Sequence, residues 1–120
     1  MKLLLDNCVP YRAKRLFEGH AVAHAKDVGW ERLENGKLLA AAGAASYEVM
    51  ITIDKKIRDQ QNLRELPVSV LEIDTPDSRL PEIQRLAPFI ISALPDCLRY
   101  RFVSVDRDGK IERLAEREIS

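Results

Sequence analysis

The sequence predicts an α/β domain built on a mostly parallel sheet. Three short apolar runs, residues 3–5, 49–53 and 68–73, each end in an aspartate: Asp6, Asp54 and Asp74. None of the runs alternates strictly between apolar and polar residues, which fits strands covered on both faces, as in parallel sheets. Segments with helical spacing or capping residues lie between them. A length of 120 residues fits a single domain, residues 1–120, with room for one core-building sheet.

Taken in order, residues 2–5 run into Asp6 as the first strand. Pro10 stands where a first helical turn begins. Tyr11, Ala13, Leu16 and Phe17 form a helical stripe that stops at Gly19. Residues 20–25 read as a second short strand. Asn35 is a good N-cap for a helix over 36–46. Residues 49–53 are the clearest strand, and 55–63 are polar, helical or looped. Residues 68–73 form a further strand before Asp74-Thr75-Pro76, which reads as a turn. Asp77 or Ser78 caps a longer helix whose Leu80, Ile83, Leu86, Ile90 and Leu94 share one face. Pro88 should kink or split that helix. Leu98, Tyr100 and Phe102 alternate with Arg99 and Arg101, the pattern of a half-exposed strand. Asp108-Gly109 is a favoured hairpin pair, with residues 110–114 as the returning strand.

Composition narrows the function classes. The chain is 46% hydrophobic and 32% charged, too apolar for disorder and too charged for a membrane protein. No apolar run approaches the roughly 18 residues of a membrane span. The first apolar stretch is three residues long and ends in an acid, so it is no signal peptide and a cytoplasmic location is expected. Cys8 and Cys97 form neither a CxxC pair nor a metal-ligand spacing, and two free thiols are expected. Basic and acidic residues balance at 19 each. Any contact with nucleic acid therefore has to come from local patches rather than from long-range steering.

Parallel strands place Asp6, Asp54 and Asp74 on one edge of the sheet, and ligands of open α/β sheets bind outside the carboxyl ends of strands. Two carboxylates about 4 Å apart repel by roughly 4 kcal/mol at an effective dielectric near 20. Protonation, a basic neighbour or a divalent cation relieves that cost. Magnesium suits all-oxygen ligands and keeps several waters, and a metal held this way can orient and activate water against a phosphodiester. An aspartate after a strand also starts turns and caps helices, and that reading is the better one for Asp74.

Leu3-Leu4-Leu5-Asp6-Asn7-Cys8-Val9-Pro10 resembles the opening of the bacterial PIN-like proteins related to toxin nucleases. The resemblance continues through Gly19-His20-Ala21-Val22, Leu33-Glu34-Asn35-Gly36-Lys37-Leu38-Leu39, Met50-Ile51-Thr52-Ile53-Asp54-Lys55 and Gln60-Gln61-Asn62-Leu63. It covers roughly residues 1–75, with 76–120 left as a C-terminal helix and hairpin. It implies a PIN-like three-layer sandwich with an acidic pocket. It also implies a Mg2+- or Mn2+-dependent ribonuclease, often the toxin of a toxin–antitoxin pair. Carried over, Asp6 and Asp54 are the metal-ligating acids, and Glu34 or Asn35 completes the catalytic site. The chain departs from many relatives in having Asn35 where they carry an acid and Lys56 where they carry a second aspartate. The asparagine can coordinate through its carbonyl oxygen but brings no charge.

The remaining candidates are weighed against structural roles. His20 and His24, four residues apart on one strand, are about 13 Å apart and make poor co-ligands. Cys8 reads as a buried structural thiol. Trp30 suits packing better than base stacking. Arg12, Lys14 and Arg15, with Lys55, Lys56 and Arg58, form two basic clusters downstream of strand-end acids. Arg12, Lys55 and Lys56, together with Gln61 and Asn62, are the candidates for RNA contact. The alternating strand over 98–105 reads as an open sheet edge, where a homodimer or antitoxin contact would form. The leading expectation is a PIN-like metal-dependent endoribonuclease. The alternative is a degenerate PIN-like module that binds RNA or a protein partner without cutting. A receiver-like phosphoacceptor fits least, because Asp6 is followed by Asn7 and not by a second acid.

Overall fold

The computed structural model describes residues 1–118. Six strands, β1 (Lys2–Leu5), β2 (Ala21–His24), β3 (Val49–Thr52), β4 (Ser69–Asp74), β5 (Tyr100–Asp106) and β6 (Ile111–Glu116), form one sheet in the order β2-β1-β3-β4-β5-β6. β1 to β5 pair in parallel and β6 pairs antiparallel with β5. The helices are α1 (Asn35–Ala44), α2 (Lys56–Gln60) and α3 (Leu80–Ala93), joined by 3-10 segments. Among the described residues, no helix is long and apolar enough to cross a membrane.

Both faces of the sheet are covered over β1 and β3, which is why these strands read as unbroken apolar runs. Leu3, Leu5, Val49, Ile51, Leu71 and Val103 face a layer made of the 3-10 segment Tyr11–Phe17 and α3, meeting Phe17, Ile83 and Ile90. Leu4, Met50, Val70 and Phe102 face the other layer, meeting Leu38, Leu39 and Ala42 of α1 and Ile57 of α2. The architecture is thus the α/β sandwich expected.

Several local expectations are corrected. Tyr11–Phe17 is a 3-10 helix, ended near Gly19, whose φ of 90° suits glycine. Asn35 is the first residue of α1 rather than its cap; Glu34 holds the cap position, and its carbonyl accepts from Leu38 N–H. Arg79 precedes α3, while Asp77 closes its own turn on Arg79 N–H at 2.9 Å. Pro88 does not split α3: it lies on the exposed side, where solvent can satisfy the carbonyl left without its helical donor.

The hairpin also differs from expectation. Asp106 N–H bonds Lys110 O, which closes a three-residue loop with Gly109 at φ 81° in place of a two-residue turn. β5 is no edge. It lies between β4 and β6 with Phe102 to Val105 buried, and β6 forms the border. Leu98, the first residue of the alternating pattern, precedes the strand and is exposed.

Candidate functional site

The strand order reverses direction between β1 and β3, where the chain leaves β1 toward β2 and leaves β3 toward β4. A crevice at the carboxyl ends of two such strands is the usual ligand position in open α/β sheets. Asp6 follows β1 and Asp54 lies two residues beyond β3, so both expected acids reach this point.

Their environments differ. Asp6 is only 5% exposed. Its Oδ2 accepts from the Thr52 hydroxyl at 2.8 Å, and its Oδ1 accepts from Asn7 N–H at 2.7 Å. Thr52 Oγ1 in turn accepts from Asp54 N–H at 3.0 Å, which ties the two strand ends together. The Asp54 carboxylate lies further out. Its Oδ1 accepts from Lys56 N–H at 2.9 Å, and its Oδ2 accepts from Asn35 Nδ2 at 3.0 Å. Asp54 therefore sits where α1 and α2 both begin, and helix N-termini favour negative charge.

An open cleft of about 400 Å³ lies beside Asp54, lined by Glu34, Asn35, Gly36, Asp54, Lys56, Gln60 and Gln61. The fold thus gathers five of the expected site residues: Glu34, Asn35, Asp54, Lys56 and Gln61. It leaves out the other four. Asp6 lies buried behind Thr52. Arg12 is exposed on the first 3-10 helix. Lys55 pairs with Asp74 at 3.1 Å. Asn62 caps the 3-10 segment Leu63–Glu65 by accepting from Arg64 N–H at 3.1 Å.

The donor chemistry of the cleft suits a hard cation. Asp54 and Glu34 offer carboxylate oxygens, and Asn35 would offer an amide oxygen if its side chain turned over. Such a set matches an ion that keeps much of its water and uses one or two carboxylates plus substrate phosphates. Among the described residues, no three His, Cys, Asp or Glu side chains gather closely enough to hold an ion by themselves. In the residue next to Asp6, Asn7 Oδ1 is a buried acceptor without a partner among the described residues. Its amide orientation is fixed by donation from Nδ2 to Glu31 O at 3.0 Å.

A polar row crosses the sheet next to this site. Thr52, Glu72, Ser104 and Glu112 are successive register partners on β3, β4, β5 and β6. Glu72 is buried between the apolar Leu71 and Ile73 of β4. Its Oε1 accepts from Ser104 at 2.8 Å and from Arg58 at 3.3 Å, while Oε2 has no partner among the described residues. Burial raises the Glu72 pKa, and the Ser104 bond and the Arg58 charge only partly offset it. Arg58 reaches on to Glu112 at 2.7 Å, so it fastens α2 to β6. Sequence reasoning passed over Glu72, although a lone acid between Leu71 and Ile73 is a visible signal.

His24 is buried, with Nε2 donating to Val9 O at 2.8 Å and Nδ1 accepting from Lys26 N–H at 3.1 Å. Both ring nitrogens are occupied in holding the backbone. His20 is instead beside the chain's N-terminal amine, at 3.1 Å. Cys8 corrects the buried-thiol expectation, because the residue is exposed overall. Its sulfur nevertheless turns toward Ile53 N–H at 3.4 Å, and burial of that group, then the Asp6 charge, push its pKa up. A raised pKa disfavours the thiolate a nucleophile needs. Trp30 packs edge-on against Tyr47 at 6.0 Å.

Comparison of the chain with protein-family models, with curated proteins and with solved structures found no match.

Proposed function

We propose that the chain is a PIN-like endoribonuclease of the toxin type, dependent on Mg2+ or Mn2+, with Asp54 at its reacting edge. The observation that carries this reading is the cleft at the strand-order reversal, where Asp54, Glu34 and Asn35 meet in the open. Asp54 and Glu34 would hold the cation, with Asn35 as a neutral oxygen ligand. When bound, such a cation supplies an activated water and a polarised phosphodiester. The chain's own side chains do the rest. Lys56 neutralises a backbone phosphate at the mouth of the cleft, and Gln60 and Gln61 offer amide groups to bases or phosphate oxygens. Asp6 acts from behind as a positioning residue, holding Thr52 and through it the backbone of Asp54. An antitoxin or a second copy would dock on β6, a border strand.

A second reading is favoured by one specific feature. Asn35 donates to Asp54, and Lys56 lines the same cleft, so amide and amine groups occupy places where acids would strengthen a metal site. This suits a module that binds RNA or a protein partner without cutting. The two readings separate on one experiment. Wild type and Asp54→Asn are titrated calorimetrically with Mg2+ and Mn2+, then incubated with single-stranded RNA. The nuclease reading expects metal binding and cleavage that the variant loses by about a hundredfold or more. Metal-independent RNA binding with no cleavage by wild type would replace it with the second reading. Asp54→Asn is the cleaner variant, because Asp6→Ala would leave the buried Thr52 hydroxyl without its acceptor.

A further inference from the structure

At the opposite end of the sheet, where the parallel strands begin, a cleft of about 350 Å³ is lined by Arg64, Arg101, Arg117, Glu116 and Glu118. The three arginines come from distant parts of the chain. Arg64 lies on the 3-10 segment Leu63–Glu65, Arg101 at the start of β5, and Arg117 just beyond β6. Pairing of β5 with β6 brings the last two together, and Arg117 N–H bonds Arg99 O to fix the chain there.

Neutral acceptors hold two of the guanidinium groups. Arg117 Nη2 donates to Ser69 Oγ at 2.6 Å, and Arg101 Nη1 donates to Leu66 O at 3.0 Å. Among the described residues, neither makes an ion pair with a carboxylate. Glu116 lines the same cleft, but its Oε1 is taken by Arg99 at 2.9 Å. Among the described residues, three arginines thus face two acids in the cleft, and one of those acids, Glu116, is shared with Arg99. Burial first, and the Arg101 charge second, push the Arg117 pKa below its ordinary value. Each guanidinium has five N–H donors in a planar fork, most of them unused among the described residues. Several guanidinium forks lining one cleft suit the oxygens of a tetrahedral oxyanion, which Arg recognises better than Lys.

We propose that Arg64, Arg101 and Arg117 form a phosphate-binding site at the amino-terminal edge of the sheet, separate from the Asp54 cleft. The ligand is a phosphate group, carried either by a small molecule or by a nucleic-acid strand. β4 separates the two ends, a length of about 17–20 Å. The site therefore stands whether or not the Asp54 cleft cuts RNA.

The test is an NMR titration of the full chain with inorganic phosphate, followed by a short single-stranded RNA. Saturable shifts are expected at Ser69, Arg101 and Arg117. Arg64→Gln and Arg101→Gln should each weaken binding by about tenfold, the loss of one charge-assisted contact. Arg64 makes no side-chain hydrogen bond among the described residues, so its variant tests the site without disturbing the fold. Asp54→Asn should leave these shifts unchanged. Tighter binding of RNA than of phosphate assigns the ligand to a strand; equal or weaker binding assigns it to a small phosphate compound. Absence of saturable shifts with both probes, or shifts undiminished in both arginine variants, overturns the proposal.

Discussion

Glu72 places a carboxylate between Leu71 and Ile73 in the middle of β4, with one oxygen bonded and the other without a partner among the described residues. Burial raises its pKa in the folded protein, so the unfolded chain releases that proton at lower pH. Stability therefore falls as pH rises from the ordinary carboxylate range through the raised folded value. Glu72→Gln keeps a group able to accept from Ser104 and removes the buried charge. It is expected to unfold at higher urea concentration than wild type near neutral pH, with the difference shrinking toward about pH 4. An equal or lower midpoint at neutral pH would mean that Arg58 stabilises the ionised form more than burial opposes it. At this scale Asp6 and Asp54 were legible because each closes an apolar run. Their unequal exposure was not, because it depends on Thr52 and on what covers each strand end.

Asn35 shows how a tertiary partner changes the use of an element's end. Asparagine before a helix reads as a cap, yet the amide turns to a carboxylate 19 positions away and Glu34 takes the cap position. α1 carries a second such case. Replacing a helical glycine with alanine ordinarily stabilises by about 1 kcal/mol. At Gly43 an added Cβ would lie 2.7 Å from Pro67 O and 2.9 Å from Pro67 Cβ. The backbone before β4 cannot yield without moving the strand. Gly43→Ala is therefore expected to destabilise, by about 1–3 kcal/mol. Gly36→Ala, whose Cβ would meet only Gln61 Nε2 at 3.8 Å, is expected to stabilise by about 0.5–1 kcal/mol. Urea unfolding of the two variants decides both, and a stabilised Gly43→Ala would contradict the close approach at Pro67.

For the molecule as a whole, β5 and β6 are a structural part of the sandwich rather than an appendage. Phe102 belongs to one core and Val103 and Val105 to the other, all fully buried. β6 covers the open side of β5 and supplies Glu112 to Arg58 and Arg113 to Asp96. A chain ending before Tyr100 is expected to show no cooperative thermal transition by circular dichroism. A chain ending at Gly109 should keep helical and strand signal but self-associate, because β5 then presents an unpaired edge. Light scattering of the longer truncation, unchanged from the full chain, would count against that role for β6.

Much of the plan was written locally. Apolar runs without alternation marked strands covered on both faces, the spacing from Leu80 to Leu94 marked α3, and the acids after β1 and β3 marked the carboxyl edge of the sheet. These follow from burial and periodicity, which neighbouring residues carry among themselves. Only the tertiary structure decided that Asp6 lies behind Thr52 while Asp54 opens to the cleft, that β5 is interior, and that three arginines share one end of the sheet. Each of these outcomes depends on strand order and register between residues far apart in the chain. A one-residue shift in pairing would reverse which side chains meet, and strands apolar on both faces carry little local pattern to fix that choice.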